Sequence, residues 1–157
     1  DGMKILLVAI NAKYIHSNLA VYCLKSYAAK RGIEVELTEY TINHRRDDIL
    51  MDIYQRKPDV VAFSCYIWNW QMTKELMVEV KKLLPKTDIF LGGPEVSYEA
   101  EKIMEQYGRA NAETGNGPVI RGIILGEGEK TFCELVEYYA EEKEFRLCRS
   151  RGQGADA

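Results

Sequence analysis

The stretch Lys4-Ile5-Leu6-Leu7-Val8-Ala9-Ile10 decides the fold. After Lys4 it holds no polar side chain until Asn11. An amphipathic helix repeats apolar residues every three or four positions. A parallel strand covered on both faces reads instead as a short unbroken apolar run. The run Val60–Ser64 (VVAFS) and the shorter Ile89–Leu91 repeat this signature, and Ile120–Leu125 gives a version interrupted at Arg121-Gly122. Ile33–Thr41 (IEVELTEYT) alternates, as a half-buried edge strand does. Helical spacing fills the intervals. Ser17 is placed to cap a helix running to Arg31, ended by Gly32. Further helices are expected over Arg45–Gln55, Trp70–Leu84 with Leu83 among its core residues, Val96–Tyr107 and Glu127–Ala140. Lys57-Pro58-Asp59 and Pro85 act as breaks, and 108–118 reads as a loop. Five strands alternating with helices predict a flavodoxin/Rossmann-like doubly wound parallel α/β sheet, order 2-1-3-4-5, with helices on both faces.

Composition agrees with one globular domain. The 157 residues are 46% apolar and 29% charged, which excludes disorder, collagen and coiled coil. The net charge is −3, from 21 basic and 24 acidic residues, with no basic stripe, so a nucleic-acid partner is not expected. No apolar run approaches the roughly 20 residues of a membrane span. Cys23, Cys65, Cys133 and Cys148 lack metal-knuckle or redox spacing and read as reduced thiols of a cytoplasmic protein. Met3 is expected to be the natural start, and Asp1-Gly2 reads as an expression remnant. The domain is expected over 3–140, with 141–157 a tail or the start of a linker.

Doubly wound sheets bind ligands outside the carboxyl ends of their strands, at the point where strand order reverses. Four loops therefore matter. The first, Asn11–Asn18, includes Tyr14, His16 and Ser17. The imidazole of His16 suits a metal or an anion, and equally an exposed polar cap. The second, Cys65–Trp70, follows Ser64 and packs Tyr66, Trp68 and Trp70 into a short loop. A large planar ligand, a domain interface or lid packing would each account for that density. Cys65 has neither a His nor an acid beside it, so a nucleophilic role lacks its usual support. The third is Gly92-Gly93-Pro94-Glu95, where paired glycines permit a sharp turn or a close ligand approach. The fourth, Gly126-Glu127-Gly128-Glu129, opens the last helix. Its carboxylates oppose a phosphate and suit a ribose or amide partner.

Several familiar sites are absent from the sequence. GxGxxG does not follow the first strand and GxxxxGK[ST] occurs nowhere, which excludes the dinucleotide fingerprint and the P-loop. Asn11 and Ser64-Cys65 stand where a receiver domain needs acids, and Ser17 alone is no flavodoxin phosphate loop. His16 and His44 form no metal site by spacing. On these residues alone, a flavin- or nucleotide-binding flavodoxin-like module and a cofactor-free interaction domain using Tyr66, Trp68 and Trp70 both remain open.

Four segments carry a closer likeness: MKILLVAINAKYIHSNLA (3–20), PDVVAFSCYIWN (58–69), IFLGGPEVS (89–97) and IILGEGEKTFCELVEYY (123–139). From Met3 to about Tyr139 the chain resembles the N-terminal cobalamin-binding domain of cobalamin-dependent radical SAM enzymes. Gly-Gly-Pro after the fourth strand and Gly-Glu-Gly-Glu after the fifth are its most telling marks. The first loop resembles a branch of unassigned substrate, some of whose members are labelled anaerobic magnesium-protoporphyrin monomethyl ester oxidative cyclase. The resemblance implies that cobalamin lies across the carboxyl edge. Its nucleotide tail would pass Ser64, Gly92 and Gly93, with Pro94 and Glu95 beside them. The corrin would meet Asn11, Tyr14, His16, Ser17, Asn18, Cys65 and Tyr66, and Gly126, Glu127 and Gly128 would line the far side.

Two departures qualify the likeness. Cobalamin domains of the methionine synthase type carry DxHxxG, whose His binds cobalt. Here Tyr14, His16 and Leu19 fall in that register, so the His is present without the Asp that orients it. His16 is thus expected either as a cobalt ligand or as a contact to corrin amides. The CxxxCxxC that holds a radical SAM iron–sulfur cluster is also absent. The resemblance therefore implies a cofactor-binding module of a longer enzyme. The cluster and S-adenosylmethionine would belong to a radical SAM domain of the same polypeptide, and the whole enzyme would carry out methyl transfer or oxidative cyclisation.

Overall fold

A computed structural model describes residues 2–12, 25–110, 117–126 and 132–141. Its strands are β1 (Met3–Asn11), β2 (Ile33–Thr41), β3 (Val60–Ser64), β4 (Asp88–Gly92) and β5 (Gly122–Ile124). Helix α1 is described over 25–29 and α6 over 132–141. Between them lie α2 (Arg46–Arg56), α3 (Trp70–Leu83), the short α4 (Pro94–Ser97) and α5 (Ala100–Tyr107). The strands form one sheet in the order β2-β1-β3-β4-β5, parallel throughout. The expected doubly wound architecture is what the chain adopts.

The unbroken apolar runs are explained by burial on both faces. In β1, alternate residues serve opposite layers. Leu6, Val8 and Ile10 join Val61, Phe63, Ile89 and Leu91 beneath α2, α3 and α5, through Ile49, Ile53, Leu76, Met77, Val80 and Ile103. Ile5 and Leu7 join Val60, Ala62, Phe90 and Ile124 beneath α1 and α6, through Ala28, Leu135, Val136 and Tyr139. A side-chain period of two thus builds two cores from one sheet.

Local chemistry moved several boundaries. Gly92 is the last residue of β4, paired with Ser64 and Ile124, so the turn falls to Gly93. The fifth strand is shorter than Ile120–Leu125 because the Val119 and Ile120 amides donate to Tyr107 O, at 2.7 and 3.1 Å, at the end of α5. The single helix expected over Val96–Tyr107 is two. The Ser97 hydroxyl donates to Gly93 O (3.0 Å), in competition with the helical ladder. The chain then leaves helical geometry at Glu99 (φ −119°, ψ 30°). Leu83, expected in the core, is 43% exposed, and Leu84 after the helix packs against the core instead. Lys57 ends α2 in the left-handed region (φ 49°), its amide bonded to Tyr54 O.

Candidate functional site

Strand order reverses between β1 and β3, the first pair of strands not joined consecutively in the chain. Their ladder runs from Ile5↔Val60 to Ala9↔Ser64. The ladder ends at that rung, and the carbonyls of Ile10 and Ser64 lie at its carboxyl end. One side chain takes both. Asn69 Nδ2 donates to Ile10 O (3.0 Å) and to Ser64 O (2.9 Å), while its Oδ1 accepts the Tyr66 amide (2.9 Å). Each such bond contributes about 1 kcal/mol net, and leaving one unmade in a buried place costs more. Asn69 is the N-cap of α3, where an asparagine ordinarily caps its own helix; here it makes no cap bond. Residues 58–69 singled out this segment, but the spacing of Asn69 reads equally as a cap, so its clamp was not legible.

The loop that Asn69 holds carries the aromatics. Trp68 Nε1 donates to the same Ile10 carbonyl (3.1 Å). Tyr66 stacks on Trp68 with ring centroids 4.6 Å apart and planes 4° from parallel. This platform is open: Trp68 is 44% and Ile67 79% exposed. Exposed Ile42, Tyr98 and Leu125 follow β2, α4 and β5 and extend the apolar character of the same edge. Among the described residues, none hydrogen-bonds the side chains of Asn11, Ser64 or Glu95.

Cys65 and Gly93 act through the backbone. The Cys65 amide donates to Gly92 O (2.7 Å), and its carbonyl accepts the Glu95 amide (3.3 Å). The thiol is fully buried and donates to Phe63 O (3.6 Å). Burial, with Glu95 nearby, pushes the thiol pKa far up, so a nucleophilic thiolate is not available. Gly93 has φ 103°, and a Cβ there would sit 2.5 Å from Cys65 O. The neighbouring Gly92 is different: its Cβ would make ordinary contacts, to the Phe132 ring at 3.5 Å and Ile124 O at 3.8 Å. The glycine pair thus has one obligatory member, required by the close passage of β3 and β4. Gly126 also adopts a positive φ, 119°. Tyr14, His16, Ser17, Asn18, Glu127 and Gly128 lie outside the described residues.

The remaining histidine, His44, follows β2. Its Nδ1 accepts the Thr41 amide (2.9 Å), which engages the lone pair of that nitrogen. No cluster of His, Cys, Asp and Glu among the described residues has metal-binding geometry. Cys65 and Cys133 are free. No described helix is long and apolar enough to cross a membrane. A groove of about 540 Å³ lies beside the edge strand β5, lined by Met104, Glu105, Arg109 and Ile123 among others. It is away from the switch point.

Comparison with known proteins matches the family described as "B12 binding domain" over residues 5–136. The cobalamin-dependent radical SAM methyltransferase TokK of Streptomyces tokunonensis is 31% identical over 80 residues, 51% of this chain and 10% of TokK. The 2-(S-pantetheinyl)-carbapenam-3-carboxylate methyltransferase of Streptantibioticus cattleyicolor is 29% identical over 89 residues, 56% of this chain and 12% of that protein. The chain thus spans about a tenth of the length of these relatives. Among solved structures, the cobalamin-dependent S-adenosylmethionine radical enzyme OxsB, with aqua-cobalamin and S-adenosylmethionine bound, superimposes with a TM-score of 0.65 at 19% identity, over 90% of this chain and 19% of that one. A type II dehydroquinase from Butyrivibrio crossotus reaches 0.54 at 18% identity, over 87% of this chain and 97% of that one. Likeness at this identity establishes the fold and nothing finer. The family match is different in kind, since it spans β1 to α6 and every described loop of the carboxyl edge. The chain belongs to the B12-binding domain family.

Proposed function

We propose that this chain binds cobalamin across the carboxyl edge of its sheet and positions it for a radical SAM domain of the same polypeptide. The observation that carries the reading is the family match over residues 5–136. The residues at the edge suit such a group. A corrin is broad and flat, apolar on its faces and fringed with amides. The stacked Tyr66–Trp68 pair with Ile67 offers an apolar surface of matching character. Asn11 and Ser64 offer polar side chains that no described residue engages, to meet amides at the rim.

In this reading Ser64, Gly92 and Gly93 flank the nucleotide tail, with Pro94 and Glu95 beside them. Asn11, Tyr14, His16, Ser17, Asn18 and Tyr66 face the corrin, and Gly126, Glu127 and Gly128 line the far side. Cys65 contributes its backbone, since its thiol is enclosed. His44 is committed to Thr41, which leaves His16 as the histidine at this edge. Lacking an Asp to orient it, His16 is assigned to corrin amides.

When bound, cobalamin supplies methyl-group or electron transfer at cobalt; the protein supplies binding and orientation. The relatives named as methyltransferases favour methyl transfer over oxidative cyclisation in the whole protein. The iron–sulfur cluster and S-adenosylmethionine belong to the partner domain of this proposal. With both described cysteines free, the reading includes a reducing compartment, the cytoplasm.

Equilibrium titration with hydroxocobalamin, followed by its visible spectrum, tests the reading. Saturable binding of one cobalamin per chain is expected, with no saturable uptake of flavin mononucleotide. Saturation by the flavin alone would replace the proposal with a flavodoxin-like module. No saturation by either ligand up to about 1 mM, where binding is worth only about 4 kcal/mol, would overturn cofactor binding.

A further inference from the structure

We infer that Asn69 is a positioning residue that sets the mouth of the β1/β3 crevice and holds the Tyr66–Trp68 platform over it before any cofactor arrives. The inference deepens the cobalamin reading and rests on it for what the platform receives. Its basis is a complete accounting of one side chain. Asn69 is 1% exposed, and both hydrogens of Nδ2 and one lone pair of Oδ1 are used, on Ile10 O, Ser64 O and Tyr66 N. The amide has one workable orientation. Rotated by half a turn, it would aim its oxygen at two carbonyls and its NH2 at a backbone N–H.

The position is also specific. The β1/β3 ladder ends at Ala9↔Ser64, so Asn69 adds a side-chain rung past its last pair. Ile10 O then accepts a second bond, from Trp68 Nε1. The separation of the strand ends, the turn at Tyr66 and the seat of Trp68 therefore share one anchor.

Asn69→Asp isolates this role. It keeps an acceptor for Tyr66 N and replaces the donating NH2 with a carboxylate oxygen facing two carbonyls. Protonation restores one donor. Two readouts on the 157-residue chain separate the inference from the reading it rests on. The first is solvent exchange of the Trp68 indole N–H by NMR, assigned with Trp68→Phe and read without ligand. The second is the dissociation constant for hydroxocobalamin. The dispersion of the β2 amides reports that the sheet stays folded.

At neutral pH N69D is expected to speed Trp68 indole exchange and to weaken cobalamin binding, each by about tenfold or more, the latter equivalent to about 1.4 kcal/mol. Near pH 5, where a carboxyl buried among carbonyls takes up a proton, both are expected to recover in part relative to the unsubstituted chain. Unchanged exchange and affinity would overturn the inference. Faster exchange with unchanged affinity would overturn the link to the cofactor. If the unsubstituted chain takes up no cobalamin, the cofactor reading falls. The indole exchange then decides alone: faster exchange supports the positioning of the platform, and unchanged exchange refutes it. Should N69D fail to fold, Asn69→Gln, which keeps both functions on a longer arm, gives the same readings.

Discussion

The two edges of the sheet are built on opposite plans. At the amino edge, polar groups are matched and tied across elements. Lys4 N donates to Asp59 (2.8 Å), the Thr87 hydroxyl to Pro58 O (2.8 Å), and Lys81 Nζ to Thr87 O (2.8 Å). The hydroxyl of Tyr139, on α6, donates to Asp88 (2.6 Å), which Arg121 also faces at 3.7 Å. Burial, reinforced by the Asp88 carboxylate, pushes the Tyr139 hydroxyl far above its ordinary pKa, as expected of a fixed donor. At the carboxyl edge, Ile67, Trp68, Tyr98 and Leu125 are exposed, and the polar side chains of Asn11 and Ser64 are engaged by no described residue. What holds that edge is mainly directed at backbone: Gly93 against Cys65, Asn69 across Ile10 and Ser64, Trp68 on Ile10 O and Ser97 on Gly93 O. The contrast separates stability from binding. Among the described residues, one edge is tied by polar bonds between elements, and the other leaves aromatic side chains exposed.

Substitutions can break this contrast at known points. The largest effect is expected from Gly93→Ala. A left-handed alanine whose Cβ meets Cys65 O at 2.5 Å should cost about 3 kcal/mol or more in denaturant unfolding. Gly92→Ala, in ordinary contact with Phe132, should cost under about 1 kcal/mol. Equal losses at the two glycines would show that close passage at Cys65 is not what the pair supplies. Next, Tyr139→Phe removes a bond to a charged acceptor and should cost about 2 kcal/mol, with cobalamin affinity unchanged. A fall in affinity with this variant would mean the edges are coupled.

Trp68→Ala should reverse that pattern. With Asn69 still on Ile10 O, unfolding stability should fall by under about 1 kcal/mol, while hydroxocobalamin affinity drops about tenfold. The smallest effect concerns β2, away from both edges. Burial raises the Glu36 pKa, but the Arg56 hydrogen bond and the charges of Lys4 and Arg56 outweigh it, and the carboxyl lies below its ordinary value. A depressed folded-state pKa stabilises above the unfolded value and is lost as pH falls through the folded one. The groups are partly exposed, so the contribution should be under about 1 kcal/mol. Glu36→Gln should therefore flatten the acid limb of stability, as pH falls through and below the ordinary carboxylate range, and leave neutral binding untouched.

The strand order was legible because buried parallel strands write themselves as runs such as VVAFS (60–64), without needing a tertiary partner to be known. Their ends were not. Ile120 looks like strand until its amide is seen on Tyr107 O, a bond set by where α5 stops. Ser97 competes for Gly93 O only because Pro94 starts a helix there. Gly92 and Gly93 are indistinguishable as letters; the backbone of Cys65, many residues earlier, tells them apart. Asn69 shows the same limit in the site. Its sequence position fits a helix cap, and only the end of the β1/β3 ladder, with the carbonyls of Ile10 and Ser64, gives its amide something else to bind.

In the proposed function the carboxyl edge receives cobalamin while the amino edge serves stability alone. Amide NMR shifts during hydroxocobalamin titration test it most directly. Saturable shifts are expected at 64–69, at 92–95 and at Asn11, with Asp59, Thr87, Asp88 and Arg121 unmoved. Shifts concentrated at those amino-edge residues, or along the α5/β5 groove around Glu105 and Ile123 with the 64–69 loop silent, would contradict it.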